Sequence, residues 1–196
     1  LYKRLIEEMG APYIWVPGLN ISDGIAYDYA EKHKMIRFEH DFEDDILSAT
    51  RNLAERYRGY SKHTEAVVNM SLTIFDAMKK VHGMKERERL LMQAAAMLHD
   101  CGRYISLVNQ SECSYQIIMA SEIIGMTHLE REIVASTVKY NSHPLPPYEQ
   151  MMDKMDQESY MIVAKLAAIL KISNAMDRSH KQKFKNVRAT LREKEL

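Results

Sequence analysis

The sequence has few cysteines, no net charge and no glycine-rich phosphate loop, and each absence excludes a class of protein. Cys101 and Cys113 are the only cysteines among 196 residues, too few for a disulfide framework, so we expect reduced thiols in a cytoplasmic protein. The 27 basic residues balance the 27 acidic residues, which argues against a DNA-binding protein. No GxGxxG motif or P-loop is present. No apolar run approaches the roughly 20 residues of a membrane span, so we expect no membrane partner.

The first 40 residues differ in pattern from the rest of the chain. The run Tyr13-Ile14-Trp15-Val16 is β-branched and aromatic and lies between prolines, which predicts one strand. A single strand is not stable alone. We therefore interpret residues 1–40 as the trailing segment of a preceding α/β domain, or as a linker. Because the chain begins with Leu1, we expect it to be part of a longer protein.

Residues 41–180 carry apolar residues at the 3.6-residue spacing of amphipathic helices. This pattern predicts a domain of about six helices joined by short loops. Ser61 is expected to cap the second helix, and Gly102 is expected to end the third in a left-handed conformation. The predicted helices cover residues 41–58, 62–82, 90–100, 112–124, 128–140 and 157–177.

Residues 181–196 form a basic C-terminal segment. Phe184 to Leu191 has weak strand character, which is typical of a truncated strand. Between Arg178 and Leu196 there are seven Lys or Arg residues against two Glu. Either a solvated face or a surface for a phosphorylated ligand explains this bias.

Four residues with metal-ligand side chains lie at predicted helix ends. His63 is in the first turn of the second helix, His99 and Asp100 close the third, and Asp177 closes the last. Two interpretations are open: a buried hydrogen-bonded cluster, or the ligands of one divalent metal ion. A mixed nitrogen and oxygen set suits Mn, Fe, Co, Zn or Mg. An open coordination position would hold a water of lowered pKa, so His99 and Asp100 are the candidate catalytic residues.

Several basic residues near these helix ends are candidates for holding phosphate. Arg103 follows Asp100 by one turn and Arg178 adjoins Asp177, where a guanidinium can bind phosphate in two-pronged fashion. The weaker candidates are Lys62, Lys139 and His143. In contrast, His82 is expected to be a cation at a helix C-terminus, and His128 and His180 are expected to be surface residues.

The pattern His63…His99-Asp100…Asp177 resembles the H…HD…D signature of the HD metal-dependent phosphohydrolase superfamily. The likeness narrows to the C-terminal helical domain of the exopolyphosphatase/guanosine pentaphosphate phosphatase (Ppx/GppA) family. It is carried by residues 94–106, 114–118 and 175–179, and by 14–18 and 23–25, which resemble the end of that family's actin-like domain. The resemblance implies a mainly α, HD-domain-like helical bundle with a small β-containing remnant of an actin-like domain.

The sequence also departs from that family pattern. Family members commonly carry histidines where this chain has Gln110-Ser111-Glu112-Cys113 and Tyr140-Asn141. Two-metal HD enzymes take extra ligands from about these places. We therefore expect one metal, although a contribution of Glu112 or Cys113 to the site stays open.

Two functions follow from the resemblance. The first is a single-metal phosphohydrolase acting on a phosphoester or nucleotide. The alternative is a non-catalytic module that binds polyphosphate or a guanosine phosphate, or that forms a homodimer. The family's exopolyphosphatase chemistry belongs to the actin-like part, whose phosphate loops are not in this sequence.

Overall fold

The computed structural model describes residues 2–13, 16, 18–33, 35–36, 42–59, 61–184 and 187–189. Contacts divide the chain into two compact units, Leu1–Asp41 and Phe42–Leu196. The sequence placed its boundary at residue 40, one residue before this division. Each unit is described by itself below.

The first unit contains two helices, α1 (Tyr2–Met9) and α2 (Ile21–Lys32). Asn20 begins α2 through a capping box, in which its side chain accepts from the Asp23 amide and the Asp23 carboxylate accepts from the Asn20 amide. The predicted strand falls partly on Ile14 and Trp15, which lie outside the described residues. Tyr13 and Val16, on either side, have no regular structure.

The second unit is a helical bundle. Its helices are α3 (Phe42–Arg56), α4 (Lys62–Ala77), α5 (Lys79–His82), α6 (Glu86–Leu98), α7 (Gln110–Ala120), α8 (His128–Ser142) and α9 (Gln157–Met176), with 3-10 turns at Cys101–Tyr104 and Tyr148–Gln150. The described residues contain no strand, which confirms the mainly α prediction. The predicted C-terminal strand is not seen in the parts of 184–191 that are described, namely Phe184 and residues 187–189.

Helix α6 is the central element of the bundle. It packs against α3, α4, α8 and α9, and eight of its residues are buried. Ala94, Ala95 and Ala96 are fully buried, and their small side chains let neighbouring helices approach closely. Full burial of Leu98 contributes about 2 kcal/mol to stability. The C-terminus of α6, which carries His99, is therefore held rigidly inside the core.

Helix α9 is the other long core helix. An 18-residue stretch within its 20 residues is apolar enough, by length and composition alone, to span a membrane. The expectation that no stretch reaches this length and hydropathy is therefore wrong for α9. Its apolar residues have another explanation, because Val163, Leu166 and Leu170 are fully buried against α4, α6 and α8.

Local hydrogen bonds set where the helices begin. The Ser61 hydroxyl accepts from the Thr64 amide at 3.3 Å, as the sequence predicts for an N-cap. The Thr64 hydroxyl also donates to the Gly59 carbonyl at 2.6 Å. These two bonds hold the first turn of α4, and with it His63, against the preceding loop.

Gly102 does not end α6, which corrects the prediction of a left-handed cap. Helix α6 stops at Leu98, and Gly102 lies in the following 3-10 turn. A Cβ atom at position 102 would lie 2.1 Å from the Gln110 carbonyl oxygen and 2.5 Å from the Ser114 amide nitrogen. Glycine is needed here because two backbone segments touch, and this contact places α7 beside Asp100.

Candidate metal centre

Three helix ends meet at one place in the second unit. His63 comes from the first turn of α4, His99 caps the C-terminus of α6 and is followed by Asp100, and Asp177 caps the C-terminus of α9. His63, His99 and Asp177 are 3%, 2% and 2% exposed. Polar groups buried this deeply require partners, so the orientation of each ring matters.

Each of the two imidazoles uses Nδ1 for a hydrogen bond within the protein. His63 Nδ1 donates to Asp177 Oδ2 at 2.9 Å, and His99 Nδ1 donates to the Ala96 carbonyl oxygen at 2.8 Å. Since both acceptors are oxygens without a proton to give, both rings carry their hydrogen on Nδ1. The two Nε2 atoms are then lone-pair acceptors, and they face each other at 3.4 Å.

This arrangement fits a metal ion better than a closed hydrogen-bonded cluster. Two neutral acceptors that face each other in the core need a proton or a cation between them. Burial lowers the pKa of His99, and this outweighs the opposing effect of Asp100, so a proton is disfavoured on that ring. Metal bonds of about 2.1 Å place neighbouring donor atoms roughly 3.0 to 3.4 Å apart, close to the separation observed.

Asp100 completes the candidate ligand set. One ligand atom from each of His63, His99 and Asp100 lies within 4.8 Å of the others, and Asp100 Oδ1 is 3.6 Å from His99 Nε2. Gln110 Nε2 donates to Asp100 Oδ1 at 2.6 Å, and Arg103 Nη1 donates to Oδ2 at 3.3 Å. Burial raises the pKa of Asp100, but the neighbouring His99 ring, the Arg103 charge and the Arg103 hydrogen bond bring it below the ordinary value. Asp100 is therefore an ionised ligand.

Asp177 lies outside this set of three clustered ligand atoms, and its part as a metal ligand stays a prediction. Its Oδ2 atom contacts Nδ1 of His63, the nitrogen on the far side of the ring from His99. Burial raises the pKa of Asp177, but the hydrogen bonds from His63 and Gln182 lower it by more than burial raises it. The pKa of Asp177 therefore lies below the ordinary value. An ionised Asp177 holds the tautomer and angle of His63, the role that second carboxylates play behind metal-bound histidines.

A cavity of about 540 Å³ opens beside Asp100. Three cationic side chains line it, namely Arg103, Lys171 and Arg178. The other lining residues are Asp100, Gln110, Asn141, Ser142, Asn174, Ala175 and His180. Within the described part of the chain, Lys171 and Arg178 form no ion pair. Their positive charge is available for an anion in the cavity.

The weaker phosphate candidates lie elsewhere. Lys62 lines a different groove, between α4 and the segment around Phe184. Lys139 pairs with Glu112 at 2.7 Å, and its ammonium lies 5.1 Å from the Tyr115 ring centre. His143 is exposed and is not among the described residues lining the cavity. A role for these three residues in binding phosphate stays a prediction.

His180 is a site residue that the sequence did not indicate. It is exposed, as predicted for a surface residue, yet its ring stacks on His63 with 3.8 Å between ring centres. Its position three residues after Asp177 is the one signal that points to it, because a turn there returns to the same helix end.

His82 is not a helix-terminal cation. It is buried, its Nε2 donates to the Phe75 carbonyl at 2.8 Å, and its Nδ1 accepts from the Met84 amide at 3.0 Å. One donor and one acceptor nitrogen describe a neutral ring. His82 therefore links α4 to the loop before α6 as a core hydrogen-bonding residue.

The comparison with protein families assigns the chain. Residues 47–195 match the family model described as Ppx/GppA phosphatase, domain III. The chain belongs to the Ppx/GppA phosphatase family. This match confirms the resemblance drawn from the motifs, and the domain III region contains His63, His99, Asp100 and Asp177. A search of curated proteins finds no significant match.

The departures from the family pattern are visible in this domain III. Gln110 and Asn141, at the places where histidines are common, line the cavity, and Gln110 supports Asp100 by a hydrogen bond. Glu112 and Cys113 are not among the described residues lining it. Among the described residues, the clustered ligand atoms belong to one set of three, which suits a single ion.

Proposed function

We propose that this domain III is a single-metal phosphohydrolase-type domain of an exopolyphosphatase-like protein, acting on a phosphoester or nucleotide. The supporting observation is the pair of imidazole Nε2 atoms that face each other at 3.4 Å. Asp100 adjoins them and also lines the cation-bearing cavity. The two acceptor nitrogens and the carboxylate can bind a cation. The cationic side chains that line the adjoining cavity can bind an anionic substrate.

His63, His99 and Asp100 would hold one divalent cation. Two imidazoles and one carboxylate favour Mn, Fe, Co or Zn over Mg, which prefers oxygen ligands. Such an ion, when bound, supplies a water of lowered pKa and neutralises charge on a phosphoryl oxygen. Gln110 and Asp177 keep the Asp100 and His63 ligands in place from behind.

The cationic side chains of the cavity bind the substrate's phosphate in this proposal. Arg103 lies one turn beyond Asp100, and Arg178 lies beside Asp177, so both guanidinium groups come from segments that also carry the centre. Their planar donors suit phosphate oxygens. Lys171, which sequence reasoning missed, adds a third positive charge from α9.

Metal analysis and a phosphate-release assay test this function. The purified chain, loaded separately with Mn²⁺, Fe²⁺, Co²⁺, Zn²⁺ and Mg²⁺, is assayed against nucleoside mono-, di- and triphosphates and short phosphoesters. We expect phosphate release with at least one metal, and its loss in His99→Ala. Lys62→Ala, a cation outside the cavity, is the matched control for Arg178→Ala, which should raise KM. The proposal fails if no metal restores turnover above that of His99→Ala.

A second candidate function is a non-catalytic binding module of the same phosphatase. The exposed Lys171 and Arg178, and the replacement of expected histidines by Gln110 and Asn141, favour it. Titration with polyphosphate or guanosine pentaphosphate would then show salt-sensitive binding without turnover. Light scattering would report the homodimer that a dimerisation module requires. The free thiols Cys101 and Cys113 agree with a cytoplasmic location, which remains part of the proposal.

A further inference from the structure

The turn after α9 returns over the metal centre. We call residues 177–182 the cap turn. The backbone φ angles of His180 and Gln182 are 53° and 46°, in the left-handed region that side chains other than glycine rarely adopt. Such strain persists only where surrounding contacts enforce it. Two strained residues within three positions therefore indicate that contacts of this turn offset the free-energy cost of the strain.

Gln182 makes those contacts with Asp177. Its backbone N–H donates to Asp177 Oδ1 at 2.8 Å, and its side-chain Nε2 donates to Oδ2 at 3.1 Å. Oδ2 is also the atom that accepts from His63 Nδ1. One carboxylate thus joins the cap turn to a candidate metal ligand, and Gln182 fixes both of its oxygens.

His180 contacts His63, the same candidate metal ligand, through its ring. Its ring is nearly parallel to that of His63, with an angle of 25° between planes and 3.8 Å between centres. His180 also lines the cavity next to Arg103 and Arg178. The ring therefore covers one face of His63 and separates it from solvent on the cavity side.

We propose that Gln182 and His180 are positioning residues of the metal centre, which together hold the His63 ring in its ligand orientation. Gln182 acts through Asp177, and His180 acts by stacking. This inference rests on the proposed function, because the ligand concerned is the divalent cation. A turn serving only to end α9 would be most stable with glycine at positions 180 and 182.

Glycine substitutions separate positioning from simple stability. Gln182→Gly keeps the backbone N–H and relieves the left-handed strain, while it removes the side-chain amide. His180→Gly relieves strain and removes the stacked ring. Lys181→Gly, at the exposed residue between them, is the matched control for added loop flexibility. Urea unfolding of the full chain in EDTA measures stability, and calorimetric titration with Co²⁺ measures metal affinity.

We expect Gln182→Gly and His180→Gly to unfold at the same or higher urea concentration than the native chain. Each should nevertheless bind Co²⁺ about tenfold more weakly, the effect typical of losing a supporting contact behind a ligand. The Co²⁺ absorption spectrum should change in both variants and stay unchanged in Lys181→Gly. Equal Co²⁺ affinity and spectra in the native chain and both variants would overturn the inference.

A second readout does not depend on the metal. In the metal-free chain, the proton on His63 Nδ1 should give a downfield NMR resonance because it is shared with Asp177. We expect Gln182→Gly to shift or broaden this resonance and Lys181→Gly to leave it in place. If the native chain binds no metal, the proposed function fails, whereas an unmoved resonance in Gln182→Gly refutes the positioning role itself.

Discussion

The second unit contains two buried polar clusters that differ in one respect. The first is the candidate metal centre of His63, His99 and Asp100. The second, here called the tyrosine–glutamate cluster, joins α7 to α8. In it the Tyr115 hydroxyl lies 2.8 Å from both oxygens of Glu132, Ser136 donates to Glu132 Oε1 at 3.0 Å, and Lys154 donates to the Tyr115 oxygen at 3.1 Å.

The tyrosine–glutamate cluster is complete by itself. Its hydroxyl donors meet carboxylate acceptors, and the Lys154 ammonium lies 4.0 Å from Glu132 to offset its charge. In the candidate metal centre, by contrast, the two imidazole Nε2 atoms face each other at 3.4 Å, and both are acceptors when the rings carry their hydrogen on Nδ1. Both clusters are buried and polar, so burial alone does not mark a functional site. The unmatched acceptors set the candidate metal centre apart, and four substitution experiments test this difference.

The largest expected effect is on metal binding in His99→Ala. Removing one of three ligands should weaken binding of Co²⁺ or Zn²⁺ at least about 100-fold, more than the loss of a supporting contact causes. Calorimetric titration of the full chain measures this. His82→Ala, which removes another buried imidazole, should lower stability and keep the affinity. Undiminished metal affinity in His99→Ala would show that His99 is not a metal ligand, and that this group of residues is a hydrogen-bonded cluster like the other one.

Glu132→Ala should have the converse effect. The hydroxyls of Tyr115 and Ser136 would lose their buried acceptor, which should lower the free energy of unfolding by about 2 kcal/mol. Metal affinity should stay unchanged. Urea denaturation in EDTA measures the stability, and Glu122→Ala, at an exposed residue, serves as control. A fall in metal affinity with Glu132→Ala would show that the two clusters are coupled.

A smaller effect is expected from Gln110→Ala. This variant removes the 2.6 Å hydrogen bond to Asp100 and leaves the carboxylate free to rotate. Metal affinity should fall by up to about tenfold. Gln116→Ala removes a similar amide from α7 whose partner is Glu112, and it should bind metal like the native chain. Equal affinities for the two variants would exclude a supporting role for Gln110.

The smallest effect concerns alkaline pH. Burial and the neighbouring Glu132 raise the pKa of Tyr115, so the unfolded tyrosine ionises first, near pH 10. The native state should therefore lose about 1 kcal/mol of stability as the pH rises to 11. Tyr115→Phe should abolish this part of the loss, whereas Tyr104→Phe, at a residue 58% exposed, should keep it.

Urea unfolding between pH 8 and pH 11 measures this slope. Burial also raises the pKa of Cys101 to about 11, which adds an alkaline loss of the same sign to all three proteins. The prediction therefore concerns the difference between slopes. Parallel curves for Tyr115→Phe and the native chain would show that the tyrosine–glutamate cluster does not resist ionisation.

Much of the fold of the second unit could be predicted from the sequence because it depends on local patterns. Apolar spacing indicated α3, α4, α6, α7, α8 and α9, and the Ser61 cap was located to the residue. The short helix α5 was merged with α4, since apolar spacing continues across Met78. Gly102 was misjudged because its reason lies in Gln110 and Ser114, which approach it only after folding.

The sequence predicts which residues belong to the candidate metal centre, but it does not predict how their side chains are oriented. Helix-end positions drew attention to His63, His99, Asp100 and Asp177, but a sequence does not show which nitrogen of a ring faces which carboxylate. Position alone predicts Asp177 as a ligand, and the structure adds its contact with Nδ1 of His63. His180 was missed because stacking depends on a left-handed backbone, which nothing in the local residue types favours.

The missing side chain at Gly102 has a consequence for the width of the cavity. The width of the cavity depends on the distance between the Asp100 segment and the start of α7, and these segments meet backbone to backbone. Substitutions at Asn141, Asn174 or Lys171 alter the chemistry of the cavity wall without moving it. An added methyl group at position 102 would instead push Gln110 away from Asp100. The width of the cavity thus depends on a position that has no side chain.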